Sequence, residues 1–420
     1  ISTPYYLHKK YNPARSDELL VILAFSGGGM RASALSYGVL KALDKIPINL
    51  QDNPQSLLDE VDLISSVSGG SFTAAYFGLF GKKILQDYEH DFLKYNIEGA
   101  LLLRLLNPKY WFRLGSLYYD RSELAADYYD DHLFHGATFS DLAKAPGPAI
   151  LINATDLTLG SGFGFHQEQF DWMCSSVSDF PVSRAVATSS AVPGLFSAVT
   201  LYNYGGHCGD TTPHWMQSEI WSNHPQLAPL ADKIRAYTDG DKRPYVHLID
   251  GGLADNLGLR AIMEQVALHG GAHQALDHFG LRKTRNILII TVNAAASPSQ
   301  DINQQKNPPS ALFSVDAATT VQINLYNRET VSRFKTAVKQ WQDEISLARC
   351  GKPWCTDGAE MYFVNISLDQ IADKTERNEL QQLPTTFYLE NDAVDKLIQA
   401  GSTLLNTSPD FSRFIKVIGQ

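Results

Sequence analysis

The sequence predicts an α/β fold in which helices cover both faces of a largely parallel central sheet. Short runs rich in Val, Ile and Leu recur along the chain, separated by stretches with helical spacing: Leu19–Phe25, Val61–Ile64, Pro148–Asn153, Tyr245–Ile249 and Asn286–Val292. These runs are apolar throughout, which is typical of strands that are buried on both faces. Two of them lead directly into glycine-rich turns followed by helical spacing, which indicates strand–turn–helix units.

The chain is expected to form one catalytic domain with additions at both ends. Residues 1–18 are predicted to be an N-terminal arm lying on this domain, which spans residues 19–295. Insertions are expected near 82–145, which has helical character, and near 201–243, which is loop-like. Residues 296–420 are predicted to form a mostly helical C-terminal subregion packed on the domain.

Two helices and one strand are predicted within the C-terminal subregion. The helical stretches are Ser314–Leu347 and Ala393–Leu405, and the strand is Met361–Ile366. The segment Ala296–Pro309, rich in Pro, Ser, Gln and Asn, is the best candidate for a linker before them.

Composition and charge exclude some classes of function. The 420 residues are 44% hydrophobic and 19% charged, as in ordinary globular proteins. A net charge of −10 argues against a general nucleic-acid-binding protein, which would need a basic face. The charge does not exclude a peripheral membrane surface, because a local basic and apolar patch can act on an acidic body. The sequence does not indicate an oligomeric state.

Four cysteines bear on the cellular compartment. Cys350 and Cys355 flank a turn-like segment and could close a small disulfide loop, and Cys174 and Cys208 could pair across an insertion. Four buried free thiols are the alternative. The chain begins at Ile1 instead of Met, which is compatible with a removed leader or anchor. With disulfides, an extracytoplasmic location is expected, either in a bacterial periplasm or at a membrane anchor.

The first glycine-rich turn is predicted to stabilise an anion. Gly27, Gly28 and Gly29 follow a predicted strand and open a helix, where backbone N–H groups can point at negative charge. Such donors form an oxyanion hole in acyl transfer, and one donor contributes about 2.7–4 kcal/mol. Arg31 could neutralise the oxyanion indirectly, brace the loop or meet a substrate phosphate. A nonhydrolytic phosphate-binding module is the alternative, although the loop lacks GxGxxG spacing and the Lys-Ser/Thr of a P-loop.

The second glycine-rich turn is predicted to carry a nucleophile. Ser68 occupies the central position of a G-x-S-x-G-like elbow that ends at Gly70, although Ser66 replaces the first glycine. A serine on such a turn is lifted out of the sheet, where a substrate can reach it. The alternative is a Ser/Gly-rich helix N-cap without chemistry.

Asp250 is the predicted base. None of the 12 histidines lies in an obvious catalytic loop, whereas the predicted strand Tyr245–Ile249 leads into Asp250, Gly251 and Gly252. The strand is expected to be parallel to its neighbours, so that the carboxylate faces a site at the carboxyl edge of the sheet. An aspartate that accepts a proton from serine must be desolvated or hydrogen-bonded so that its basicity suits the transfer. A simple Asp-Gly turn is the alternative.

With these residues, the chain resembles the patatin-like phospholipase family, whose fold is shared with the catalytic domains of cytosolic phospholipases A2. The matching blocks occur in the family's order across roughly residues 19–295: Gly27–Arg31, Ser66–Gly70, Asn153–Asp156, Ala187–Phe196 and Asp250–Gly252. Ser66 departs from the elbow pattern, and Ala32 stands where many plant patatins carry glycine.

The resemblance implies a patatin-like three-layer sandwich and a Ser–Asp dyad. Ser68 would attack the acyl carbonyl while Asp250 takes its proton, and water activated by Asp250 would release the fatty acid from an acyl-serine. No metal or other cofactor is implied. The implied substrates are phospholipids or lysophospholipids, and an acyltransferase or general carboxylesterase with the same dyad is the alternative. Gly251 and Gly252 would support the aspartate, and Asn153–Asp156 would support the site.

Residues 93–121 are a candidate membrane-binding segment because aromatic and aliphatic side chains alternate with basic ones. The apolar residues are Leu101, Leu102, Leu103, Leu105, Leu106, Tyr110, Trp111, Phe112 and Leu114, and the basic ones are Lys94, Arg104, Lys109, Arg113 and Arg121. An ordinary packing helix with snorkelling arginines is the alternative.

Overall fold

The computed structural model describes residues 2–10, 15–50, 53–109, 119–209, 216, 227–298, 300–304, 306–353, 355 and 357–419. Within these ranges the strands are β1 (Leu19–Phe25), β2 (Pro47–Leu50), β3 (Asn53–Ser56), β4 (Val61–Val67), β5 (Ala149–Asp156), β6 (Ser161–Phe165), β7 (Val199–Tyr202), β8 (Tyr245–Asp250), β9 (Asn286–Asn293) and β10 (Glu360–Ser367).

The α-helices of the described residues lie between and after these strands. They are α1 (Gly29–Asp44), α2 (Gly69–Phe80), α3 (Ile84–Tyr88), α4 (Ile97–Leu106), α5 (Arg121–Tyr129), α6 (Phe139–Lys144), α7 (Gln167–Trp172), α8 (Val182–Ser189), α9 (Leu227–Thr238), α10 (Gly252–Asp255), α11 (Leu259–Leu268), α12 (Ala272–His278), α13 (Ala311–Cys350), α14 (Lys374–Gln382), α15 (Asn391–Thr407) and α16 (Pro409–Ile418). The described residues of the insertion predicted near 82–145 contain the helices α3 to α6, and residues 110–118 lie outside the described residues. Residues 210–215 and 217–226 of the second insertion lie outside the described residues.

The central sheet has the strand order β10-β9-β1-β4-β5-β8-β7, and β6 also pairs with β5. The strands from β10 to β5 are parallel, whereas β6 and β8 run antiparallel to β5 and β7 runs antiparallel to β8. All the apolar runs predicted as strands are strands of this sheet. The mainly parallel sheet is thus confirmed, but the prediction that the strand before Asp250 is parallel is wrong.

Side chains of β1 show why the fold has three layers. Leu19, Val21, Leu23 and Phe25 belong to a hydrophobic cluster that also contains residues of α1, α2 and α15. Leu20, Ile22 and Ala24 belong to a second cluster with residues of α11, α12 and α13. Alternate side chains point to opposite faces of a strand, so helices cover both faces and the predicted three-layer sandwich is confirmed.

The C-terminal region extends this sandwich. Strand β10 pairs in parallel with β9, and α15 packs closely on α1. Glycines allow this close approach, since a Cβ at Gly38 would overlap the carbonyl of Ile398 and one at Gly401 would overlap the carbonyl of Leu35. Residues beyond 295 therefore add a strand to the sheet and contribute helices to both of its faces, and the division of the chain at 295 stays a prediction.

The N-terminal arm is held against the start of β5. The buried hydroxyl of Tyr5 donates to the carbonyl of Ile150 at 3.0 Å and accepts from its N–H at 2.6 Å. The Lys10 ammonium donates to the carbonyl of Leu142 at 2.6 Å. Because the Tyr5 hydroxyl bonds both the N–H and the carbonyl of Ile150, two hydrogen bonds anchor the arm to the sheet.

Both expected cysteine pairs, Cys174–Cys208 and Cys350–Cys355, are disulfide-bonded. Across the described ranges, the structure contains no helix with the length and apolar character needed to cross a bilayer.

Candidate active site

Two strands that meet end to end along β5 bring the predicted catalytic residues together. Val67 at the end of β4 lies opposite Asn153, and Asp250 at the end of β8 lies opposite the next residue of β5, Ala154. Strand β6 occupies the other edge of β5 over Ile152–Asp156, so β4 and β8 share one edge. Since β8 runs opposite to β4, the carboxyl ends of the two strands face each other. The antiparallel direction of β8, which the sequence did not predict, therefore places Asp250 beside Ser68.

Ser68 lies on a strained turn between β4 and α2. Its φ of 49° and ψ of −121° are a backbone conformation that residues with a Cβ rarely adopt. The next two positions require glycine, because a Cβ at Gly69 would overlap the carbonyl of Gly29 and one at Gly70 would lie 2.7 Å from the carbonyl of Ser26. The turn thus has the geometry of a nucleophile elbow, and Gly70 supports it by allowing this close packing.

The Ser68 side chain interacts with the Asp250 carboxylate and favours its ionised form. The N–H of Gly252 donates to Oδ1 of the same carboxylate at 2.7 Å. Burial raises the pKa of Asp250 from 3.8 to about 6, and the interactions of the carboxylate with Gly252 and Ser68 oppose this increase. The carboxylate is therefore ionised at neutral pH yet more basic than an exposed aspartate, which suits a proton acceptor.

The glycine loop supplies fewer free donors than predicted. The N–H of Gly27 donates to the carbonyl of Asn256 at 2.9 Å, so Gly27 is not available as an oxyanion donor. Within the described part of the chain, the N–H groups of Gly28 and Gly29 have no acceptor. Both residues have positive φ, 136° and 57°, and they lie at the N-terminus of α1. The helix dipole there favours negative charge, so Gly28 and Gly29 remain the candidate donors.

Arg31 braces the glycine loop against the C-terminal region. It is only 2% exposed, and its guanidinium donates to the carbonyl of Ala294 at 2.8 Å, to Thr385 Oγ1 at 3.2 Å and to the carbonyl of Leu383. Burial lowers the pKa of Arg31 to about 10, which leaves it charged at neutral pH. It forms no ion pair with any described carboxylate. A cation that has no carboxylate partner among the described residues therefore borders the site.

Ser189, at the end of α8, joins the parts of the site. Its hydroxyl accepts from the N–H of Ser68 at 2.8 Å and donates to the carbonyl of Asn153 at 2.6 Å. Its own carbonyl accepts from the N–H of Gly251 at 3.0 Å. No role was predicted for Ser189 from the sequence, although it lies in the matching block Ala187–Phe196. Membership of that block was the only indication in the sequence that Ser189 matters. Its position beside the elbow depends on the tertiary fold and could not be predicted.

Asn153 supports the elbow from β5, as the sequence analysis expected for this block. Its amide nitrogen donates to Ser65 Oγ at 3.0 Å and to the carbonyl of Ser66 at 3.1 Å.

Thr386 was not predicted from the sequence to contribute to the site. Its carbonyl accepts from the N–H of Met30 at 2.8 Å. A loop of the C-terminal region therefore helps to hold the glycine loop.

Ser68 and Asp250 line a cleft of about 240 Å³. Gly28, Arg31, Ser68, Asp250 and Gly252 face it, and the wall opposite is formed by residues of α13, which are Thr319, Thr320, Ile323 and Asn324. Leu195 and Leu253, two exposed apolar side chains, also line the cleft. No described histidine lines it. The arrangement brings a serine hydroxyl, a buried carboxylate, a glycine loop and apolar side chains to one cleft.

Comparisons with known proteins concern both sequence and fold. The family model described as patatin-like phospholipase matches residues 23–263. The solved structure of human GIVD cytosolic phospholipase A2 is 11% identical with a TM-score of 0.47, and the match covers 96% of this chain and 62% of that chain. Its complex with methyl gamma-linolenyl fluorophosphonate is 14% identical with a TM-score of 0.44, over 96% and 59% of the two chains. This chain thus spans about six tenths of those proteins. No curated protein sequence matches it.

Proposed function

We propose that this chain, which belongs to the patatin-like phospholipase family, cleaves fatty acyl esters of phospholipids or lysophospholipids with Ser68 as nucleophile and Asp250 as base. The observation that carries the proposal is that Ser68, on its strained turn, and the buried Asp250 carboxylate line the same cleft. A strained serine, a carboxylate with a raised pKa and free backbone N–H groups in one cleft match the requirements of acyl transfer through a covalent intermediate.

In the proposed acylation, Ser68 Oγ attacks the acyl carbonyl carbon as Asp250 accepts the hydroxyl proton. The negative charge that develops on the carbonyl oxygen is stabilised by the N–H groups of Gly28 and Gly29 at the start of α1. Cleavage of the ester bond releases the alcohol, which takes the proton from Asp250. The fatty acyl group is then esterified to Ser68.

In the proposed deacylation, Asp250 accepts a proton from water, and the resulting hydroxide attacks the acyl-serine carbonyl. The same loop stabilises the second oxyanion, and its collapse returns the proton to Ser68 and releases the fatty acid. Every proton transfer uses groups of this chain or water, so the proposed mechanism requires neither a metal nor another cofactor.

Arg31 supports a phospholipid over a neutral ester as the substrate. Its charge is buried at the cleft without a carboxylate partner among the described residues, although three protein acceptors hold the guanidinium in place. Burial of a charge is costly unless it is compensated. An anionic head group entering the cleft would provide that compensation.

Fatty acid release from defined vesicles tests the proposed function. Vesicles of phosphatidylcholine or phosphatidylglycerol with differently labelled acyl chains, and the corresponding lysophospholipids, are incubated with the wild type and with Ser68→Ala. We expect free fatty acid only with the wild type. Absence of release from every ester lipid would contradict the proposal. Products that require an added acceptor alcohol would assign an acyltransferase, and cleavage of short soluble esters alone would assign a general carboxylesterase.

The rate of hydrolysis is expected to depend on ionised Asp250. Because its pKa is about 6, kcat/KM should be constant above neutral pH and fall about tenfold per pH unit below that pKa. The pH profile with a soluble short-chain ester measures this directly. A midpoint near 3.8, the value of an unperturbed aspartate, would contradict burial as the source of the basicity.

We further propose that α4 contacts the membrane that carries the substrate. Leu102 and Leu103 are 55% and 71% exposed, and Leu105 and Leu106 are exposed beside them. Arg104 of the same helix forms an ion pair with Asp131 at 2.7 Å. Helix α5 packs against α4, and its first residue, Arg121, donates to the carbonyl of Gly194 beside Leu195 of the cleft. The exposed leucines are thus linked to the rim of the cleft.

Part of the predicted membrane-binding segment is not described. Tyr110, Trp111, Phe112, Arg113 and Leu114 lie outside the described residues.

Replacing Leu102 and Leu103 together by serine is expected to weaken binding to phosphatidylglycerol vesicles by at least about tenfold, because each buried leucine contributes roughly 1.5–3 kcal/mol. Vesicle sedimentation measures the binding. Leu347→Ser is the matched control, since Leu347 is 55% exposed on α13. Equal binding by the double variant and the control would contradict a membrane contact through α4.

An extracytoplasmic location remains part of the proposal. The two disulfides support it, because such bonds persist in oxidising compartments. Fractionation of the source cells, with recovery of the protein from the periplasmic or membrane fraction, is the expected result. Recovery from the cytosol alone would contradict it.

A further inference from the structure

Four histidines surround one glutamate away from the catalytic cleft. Glu168 lies in the first turn of α7, and its carboxylate oxygens are 3.5 Å from His8, 3.6 Å from His278, 3.8 Å from His269 and 3.9 Å from His166. None of these residues lines the cleft. They come from the N-terminal arm, the segment between β6 and α7, and the ends of α11 and α12. The fold therefore assembles them from distant parts of the chain.

Three of the side chains form a triangle of possible ligand atoms. Glu168 Oε1 is 3.5 Å from His8 Nδ1 and 3.6 Å from His278 Nε2, and the two nitrogens are 3.1 Å apart. Both nitrogen–oxygen distances exceed the ordinary length of an N–H···O hydrogen bond, about 2.7–3.2 Å. A tetrahedral ion with bonds of about 2.0–2.1 Å has ligand atoms separated by about 3.3 Å. The three separations of 3.1–3.6 Å therefore bracket the edge of a coordination tetrahedron, and the two imidazole nitrogens at 3.1 Å are also within hydrogen-bond distance of each other.

We propose that His8, Glu168 and His278 bind a divalent transition-metal ion, with Zn²⁺ as the best match. Two imidazole nitrogens and one carboxylate oxygen are a ligand set that Zn²⁺ uses in proteins. The fourth position would be taken by water, because solvent reaches the site at the exposed His278. The same opening gives the ion a route to the site.

Unpartnered polar atoms behind Glu168 provide independent support. His166 Nδ1, His269 Nε2 and Glu168 Oε2 are buried and have no hydrogen-bond partner among the described residues. The side chain of His166 is 4% exposed, and its Nδ1 faces Oε2 at 3.9 Å. Groups that hydrogen-bond a ligating carboxylate usually orient it toward the metal. A small rotation of the carboxylate about the bound ion would let either histidine donate to Oε2.

The proposed ion would have a structural role. His8 belongs to the N-terminal arm, and the other two ligands belong to α7 and α12, so the ion would join the arm to the sandwich. His8 also lines an apolar cavity with Leu20 and Ala149, near the starts of β1 and β5. The catalytic cleft lies where β1 and β4 end. The ion is therefore independent of the proposed ester cleavage.

Metal titration of the full chain, purified without a polyhistidine tag and stripped with a chelator, tests the proposal. We expect one Zn²⁺ per chain by calorimetry and elemental analysis, a tetrahedral Co²⁺ absorption spectrum, and a Tm that rises with Zn²⁺. His278→Ala should weaken binding by at least about 100-fold, because loss of a group that only orients a ligand already costs 10–100-fold. The matched control is His207→Ala, since His207 is also exposed and faces a single carboxylate, that of Asp241, at 3.5 Å.

Glu168→Gln provides a second variant, and melting curves without metal show whether each variant is folded. A folded Glu168→Gln protein should lose the Co²⁺ spectrum. The proposal is overturned if the wild type binds no stoichiometric ion, or if both ligand variants bind Zn²⁺ as tightly as the control. Fluorophosphonate labelling of Ser68 in the stripped protein reports the dyad separately, so failure of the metal site and failure of the proposed function are distinguishable.

Discussion

Ser68→Ala and Asp250→Asn are each expected to reduce phospholipid hydrolysis by about 10⁴-fold or more, the range found when members of a nucleophile–base unit are removed. Without Ser68 no acyl-enzyme can form, and without Asp250 the serine proton has no acceptor. Because the two residues act as a unit, the double variant should be little worse than Ser68→Ala alone. Initial rates with labelled phospholipid vesicles measure the losses.

A fluorophosphonate probe identifies the nucleophile independently of turnover. We expect labelling of the wild type, none of Ser68→Ala, and slow labelling of Asp250→Asn. Ser66→Ala is the matched control in the same turn, because the Ser66 hydroxyl faces the carbonyl of Leu151 at 3.3 Å instead of the cleft. Full labelling of Ser68→Ala would reject Ser68 as the nucleophile.

Asp250→Asn should also separate chemistry from folding. The folded-state pKa of about 6 is above 3.8, the ordinary pKa of an aspartate, so the ionised carboxylate destabilises the folded protein at pH values above 6. Removing the charge should raise the free energy of unfolding there by up to about 3 kcal/mol, and the gain should disappear as pH falls toward 4. Urea unfolding measures it. An inactive variant that is destabilised at neutral pH would indicate structural damage instead.

Gly69→Ala is expected to lower the free energy of unfolding by at least about 3 kcal/mol and to abolish hydrolysis. A Cβ at this position would overlap the carbonyl oxygen of Gly29. Both groups belong to the backbone at the start of a helix, so neither can move aside alone. The glycine loop and the nucleophile turn must separate, which would misalign the donors and Ser68.

Urea unfolding and fluorophosphonate labelling measure the two effects of Gly69→Ala. Gly162→Ala is the matched control, because a Cβ there meets no atom within 4 Å and the residue has no positive φ. A Gly69→Ala protein with the midpoint and labelling of the wild type would contradict the close contact between the loops.

Local sequence patterns were sufficient to predict six of the ten described strands and the two glycine-rich turns, whereas β2, β3, β6 and β7 were not predicted. The run Leu19–Phe25 is a strand with the predicted bounds, and the helices after both glycine-rich turns begin at Gly29 and Gly69. Such features depend on residues that are neighbours in the chain: continuous apolar runs, glycines at tight turns, and a carboxylate after a strand. The pairing of Ser68 with Asp250 was inferred from the family resemblance, and their functional roles remain proposals.

Only the tertiary structure decided which of these groups are free of protein hydrogen-bond partners and which residues surround them. Strand β8 runs antiparallel to β5 and pairs with the residues of β5 beyond those that pair with β4, a direction that the apolar run 245–249 does not encode. Gly27 loses its role as a donor because the carbonyl of Asn256 accepts its N–H. Ser189, the α13 wall and the histidines around Glu168 depend likewise on contacts between distant segments. The sequence by itself determined the strand–turn–helix units and the chemical groups they carry. Hydrogen-bond partners, exposure and the merging of two strand ends into one site were decided by packing, because those properties depend on neighbours that are remote along the chain.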